Sequence, residues 1–134
     1  MLDLLIINGH VIDPANQVDE VRPVAVYNGE IVPYDGEEPA RHTIDAAGRY
    51  VFPGLIDSHA HMFTEGTEIG IYPDLAYLPT GVTSAVDATA GVANYRLFRS
   101  AIIARSKVTI KSFLQMCSAG LATTSYHENI NPKY

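Results

Sequence analysis

The stretch Pro53-Gly54-Leu55-Ile56-Asp57-Ser58-His59-Ala60-His61 changes character halfway along. It is apolar as far as Ile56 and then turns polar. The Pro-Gly step bends the chain into the stretch, and an extended run follows, so a strand is expected. His59 and His61 stand two apart, which on a strand puts both side chains on one face. Imidazoles held that way can share one divalent metal ion. With 5 histidines in 134 residues such a pair also arises by chance, so the pair alone carries little. Its context carries more. Several polar groups gathered at one end of a buried strand are costly unless they are paired or ligate something.

Downstream of this strand the pattern alternates. Tyr72 to Leu78 reads as a short helix ended by Pro79 and Gly81. Val82 to Ala88 is a β-branched run expected as a buried strand. Between Ala93 and Ser106, Leu97, Phe98, Ala101 and Ile102 recur at helical spacing, and Val108 to Met116 reads as a third strand. The order β-α-β-α-β implies parallel strands joined by helical crossovers. In such folds the C-terminal ends of the strands face the site. His59 and His61 lie at that end, before the loop Phe63 to Gly70.

Upstream, the pattern is one of short strands with tight turns. Leu4 to Ile7 and His10 to Asp13 flank Asn8-Gly9, and Val24 to Tyr27 and Glu30 to Val32 flank Asn28-Gly29. Asn-Gly is a hairpin signal, so both pairs are expected to be antiparallel hairpins. Pro33 marks an edge, and His42 to Asp45 adds another short strand. A boundary near residue 50 separates this part, 1–50, from 51–134.

Bulk properties narrow the class. An apolar share of 47% and a charged share of 18% suit a folded globular chain. The net charge of −6 disfavours a nucleic-acid or anionic-membrane partner. The single cysteine, Cys117, allows no internal disulfide and reads as a small buried residue rather than a nucleophile. The first residues have no basic leader, and Asp3 interrupts their apolar run, so a cytoplasmic location is expected.

Residues 53–61, following Ile44-Asp45-Ala46-Ala47-Gly48-Arg49-Tyr50-Val51-Phe52, resemble the first-strand metal motif of the amidohydrolase superfamily. Gly66 to Gly70, Gly81 to Gly91 and Asn94 to Phe98 resemble more narrowly the members called deacetylases, relatives of dihydroorotases and hydantoinases. The resemblance covers essentially the whole chain. It implies an α/β fold: the first three strands of a (β/α)8 barrel, preceded by part of a small β-sandwich. It further implies His59 and His61 as metal ligands and a divalent metal, zinc foremost, as cofactor. The substrate it implies is a small acylated molecule, hydrolysed at an amide or ester by a metal-activated water. A lysine, two further histidines and an aspartate would come from later strands. Neither His127 nor Lys133 is assigned to those roles, and no catalytic residue is assigned. Cyclic amidase and adenine deaminase chemistry, or a non-enzymatic metal-binding role, remain open.

A whole barrel needs about 250 residues. The chain is therefore expected to be an N-terminal portion, inactive alone, with a complementary C-terminal chain or a homo-oligomer as partner. Asp57 is read either as steering a ligand histidine or as a structural partner. Asp87 is read either as touching substrate or as capping the next helix. Glu65 and Glu68 are read as solvated loop acids.

Overall fold

The computed structural model describes residues 1–121. The chain divides into two compact units, Met1–Pro53 and Gly54–Tyr134. In the first unit, β1 (Leu2–Ile7) lies between β4 (Val24–Tyr27) and β6 (Ala40–Asp45), and β5 (Glu30–Val32) completes a four-stranded sheet in the order β5-β4-β1-β6. Leu2, Leu5 and Ala25 form its small core. A second sheet has the order β3-β2-β7, made by β2 (His10–Asp13), β3 (Val18–Val21) and β7 (Tyr50–Val51). Asp13 starts the turn between β2 and β3 by accepting the Ala15 and Asn16 N–H groups at 3.1 and 3.4 Å.

Two expectations for this unit need correction. Asn28-Gly29 does close the antiparallel β4–β5 hairpin, with φ of 50° and 78° at its two central residues, as a two-residue turn of that type requires. Asn8-Gly9 closes no hairpin. It passes the chain from one sheet to the other, because β1 already pairs with β4 on one side and β6 on the other. Gly9 is small here for lack of room: a Cβ would stand 2.6 Å from Val51 Cγ2 and 3.0 Å from Ala46 Cβ. Nor is the unit wholly antiparallel, since β1–β6 and β2–β7 run parallel. The β2–β7 pairing keeps Tyr50 and Val51 with the first unit.

The second unit is a parallel three-stranded sheet in the order β10-β9-β8, with β8 (Leu55–Ala60), β9 (Val82–Asp87) and β10 (Thr109–Ser112). The first crossover holds α1 (Pro73–Tyr77) and a turn of 3-10 helix, Leu78–Thr80. The second holds α2 (Tyr95–Phe98), which widens into a π turn over Arg99–Ile103. The parallel β-α-β-α-β order is that expected from the sequence. The core gathers Ala60, Met62, Phe63, Tyr77, Ala85, Ala90, Phe98, Ile102, Val108 and Ile110. Phe98 anchors α2 against Phe63 with ring centroids 5.2 Å apart. Burying one such ring contributes about 1.5–3 kcal/mol, which explains how a helix this short is held. Of the apolar positions read from the spacing, Phe98 and Ile102 are buried, whereas Leu97 is exposed. The third strand is shorter than expected, because its partner β9 ends at Asp87. Phe113, Leu114 and Met116 are exposed. Among the described residues no helix is long and apolar enough to cross a membrane.

Candidate metal centre

The two histidines sit where β8 ends. Strand β8 is not regular there. Asp57 is opposite Ala85 and Ala60 is opposite Asp87, so three steps on β8 match two on β9. That extra residue is a β-bulge at Ser58-His59, a device that re-aims side chains at sheet ends. Strict alternation would set Asp57 on the face of His59. With the bulge between them, Asp57 instead reaches Tyr77 of α1, whose hydroxyl donates to Asp57 Oδ2 at 2.7 Å, while Oδ1 accepts the His59 N–H at 3.0 Å. Asp57 is thus a structural partner; its hydrogen bonds go to the His59 backbone and to Tyr77, not to an imidazole. The His59 N–H bond, then the Tyr77 bond, hold its carboxyl below the ordinary value of 3.8. Burial first, and Asp57 second, push the Tyr77 phenol up to about 12.

His59 and His61 come together. Their rings lie 5.2 Å apart, edge to face at 81°. His59 is exposed and His61 half-buried. His61 Nδ1 lies 3.2 Å from Thr89 Oγ1, and Thr89 Oγ1 donates to Asp87 Oδ2 at 2.8 Å. Asp87 also accepts the Met62 N–H at 2.6 Å and the Thr89 N–H at 2.8 Å. Both Asp87 and Thr89 are 0% exposed. Asp87 therefore does not cap α2; it ties the ends of β8 and β9 together. Its three donors explain how a carboxyl can sit in so closed a place. Thr89 was not singled out by sequence reasoning. The available signal was Asp87-Ala88-Thr89 at a strand end, a local turn in which an aspartate accepts from the residue two further on.

The donor set fits part of a metal site. Two imidazoles converge, and among the described residues His61 makes its hydrogen bond through Nδ1 and none through Nε2. Among the described residues no group of three His, Cys, Asp or Glu side chains could hold an ion together. Structural zinc sites use four ligands and catalytic ones three with an open position. Glu65 and Glu68 are exposed loop acids, as expected. Cys117 is half-buried, with its Sγ 3.3 Å from Gln115 Oε1. His127 and Lys133 lie outside the described residues.

A deacetylase of Agrobacterium fabrum is 46% identical over 79 residues, covering 58% of this chain and 19% of that protein. The match thus spans about a fifth of the relative's length. A crystal structure of a dihydroorotase aligns with a TM-score of 0.78 at 31% identity, over 89% of this chain and 32% of that one. A D-aminoacylase whose binuclear metal centre has been studied aligns with a TM-score of 0.52 at 29% identity, over 67% of this chain and 19% of that one. The sequence profile of the Amidohydrolase family matches residues 42–129, more than half of the chain, and by that match the chain belongs to the amidohydrolase family.

Proposed function

We propose that this chain supplies the first metal-binding strand of a metal-dependent amidohydrolase that removes a small acyl group from nitrogen or oxygen. The observation that carries the reading is the pair of imidazoles 5.2 Å apart at the C-terminal end of β8. Its three parallel strands would be the opening of a (β/α)8 barrel, and strand ends are where such barrels place chemistry. His59 and His61 would hold a divalent ion, zinc foremost given the imidazole donors. A bound ion of this kind polarises a carbonyl and lowers the pKa of water. Within the chain, the work is positional. The bulge aims His59, Thr89 holds His61, and Asp87 fixes the strand end that carries both.

The remaining ligands would come from outside the described residues, on this polypeptide or on a complementary one. By the same reading the 134-residue chain alone turns over no acylated amino acid. The acyl-group specificity rests on the likeness to a deacetylase. Opening of a cyclic amide is the second reading, favoured by the likeness to a dihydroorotase over most of this chain.

The first test is calorimetric titration of the purified chain with zinc chloride. We expect binding of one ion, abolished in both His59→Ala and His61→Ala. Binding that survives both substitutions, or an enzyme containing this chain that binds no metal ion, would reject the metal reading. In an enzyme containing this chain, acetate release from N-acetyl amino acids against ring opening of dihydroorotate separates the two substrate classes.

A further inference from the structure

A histidine ligand binds through whichever ring nitrogen lacks a proton, and what the other nitrogen touches decides which that is. A threonine hydroxyl has a single hydrogen to donate and two lone pairs to accept with. Thr89 Oγ1 donates that hydrogen to Asp87 Oδ2 at 2.8 Å. Both oxygens of Asp87 are also taken by backbone N–H groups, Met62 on Oδ2 and Thr89 on Oδ1. Those donors require Asp87 to act as an acceptor. With its hydrogen so committed, Thr89 has only lone pairs left for His61 Nδ1, 3.2 Å away. The proton in that contact must then sit on Nδ1.

We propose that Thr89 is a positioning residue for His61: backed by Asp87, it takes the Nδ1 proton and so presents the Nε2 lone pair to the metal ion. The inference rests on the reading of His61 as a ligand and adds how that ligand is made ready before any ion arrives. Among the described residues His59 has no such support, since its hydrogen bond to Asp57 runs through its backbone N–H. The two ligands are therefore unequal. His61 is preset in ring orientation and tautomer, and His59 is left to swing onto the ion. Burial of Thr89 and Asp87 at 0% exposure keeps water from competing for the same hydrogen bonds.

Long-range nitrogen–proton NMR spectra of the metal-free chain at about pH 8.5, above the ordinary histidine pKa of about 6.5, test this directly. We expect a protonated Nδ1 and a bare Nε2 for His61 in the wild-type chain. Thr89→Val, nearly the same in shape, should shift His61 toward the Nε2–H form, and Thr89→Ser should restore the wild-type spectrum. Zinc affinity should fall about 10–100-fold in Thr89→Val and recover in Thr89→Ser, the usual scale for loss of a ligand's supporting hydrogen bond. A wild-type spectrum with the proton on Nε2 overturns the proposal, and needs no variant to fold. Unchanged tautomer and affinity in a folded Thr89→Val chain overturn it as well. Failure of the underlying metal reading looks different: an enzyme containing this chain would then bind no zinc whatever the tautomer of His61.

Discussion

The polar residues at the end of β8 divide into the proposed ligands, His59 and His61, and those that build the frame. The sequence made His59 and His61 legible because alternation along a strand is local information. Asp57 was left between two roles by the same rule, since a bulge is set by how β8 fits β9 and leaves no mark in β8 itself. Thr89 was missed because its importance comes from a neighbour 28 positions away, His61. The Asp57–Tyr77 contact has a pH signature. Asp57 is held below 3.8, so the stability its carboxylate contributes is fully present above that value and is lost as pH falls through its lower folded value. Removing the hydroxyl in Tyr77→Phe takes away one of the causes. We expect Asp57 to titrate higher in that variant, as followed by carboxyl-carbon NMR. An unchanged titration would mean the His59 N–H does all the holding.

Between elements, side chains replace the lost regularity of short helices. Helix α1 is five residues long and would not persist alone. Asp74 in its first turn ties it to the start of β10, accepting from the Ser106 hydroxyl and from the Lys107 and Val108 N–H groups. The Ser106 bond, then the Lys107 N–H, lower the Asp74 pKa. Asp74→Ala would take the carboxylate acceptor from the Ser106 hydroxyl and the Lys107 N–H, at a cost of about 1–3 kcal/mol, while the Val108 N–H keeps Ser106 Oγ. Urea unfolding of the variant should show a lowered midpoint; a shift confined to less than a few tenths of a kcal/mol would mean water replaces the carboxyl freely. Periodicity revealed the second crossover helix, since Phe98 and Ile102 repeat four apart, while the first was marked by Pro79 and Gly81 at its end. It could not reveal partners. The two Asn-Gly steps are identical in sequence, yet one closes β4–β5 and the other passes between sheets. What distinguishes them is that β1 has both edges occupied, a fact of the assembled sheet. Strand β3, mostly exposed and acidic in its middle, was invisible for a related reason: pairing with β2 makes it a strand, not its own pattern.

At the scale of the molecule, the order of elements was readable and the extent of the fold was not. The parallel sheet of the second unit pairs β8 with β9 alone and β10 with β9 alone among the described residues. Leu55 and Ile56 on β8 are 52% and 72% exposed, and Phe113 just past β10 is 66% exposed. An open edge beside apolar side chains is a template for pairing with another chain. We expect the 134-residue chain to self-associate as its concentration rises, and Ile56→Lys to reduce this, as read by light scattering after size-exclusion chromatography. A strictly monomeric wild-type chain at high concentration would show that the edge is covered by something outside the described residues.

The tie between the Met62 N–H and Asp87 also bears on time. That amide is fully enclosed, at the foot of the loop that follows His59 and His61, and its acceptor belongs to the neighbouring strand. It can meet deuterated solvent only when β8 and β9 come apart. We expect its hydrogen to be among the last in the second unit to exchange, with a rate that tracks global denaturant sensitivity. The amides of Glu65 and Glu68, a few residues along, should exchange early. Strand β8 would then behave as a fixed post, with the loop beyond it free to move while the imidazoles stay put.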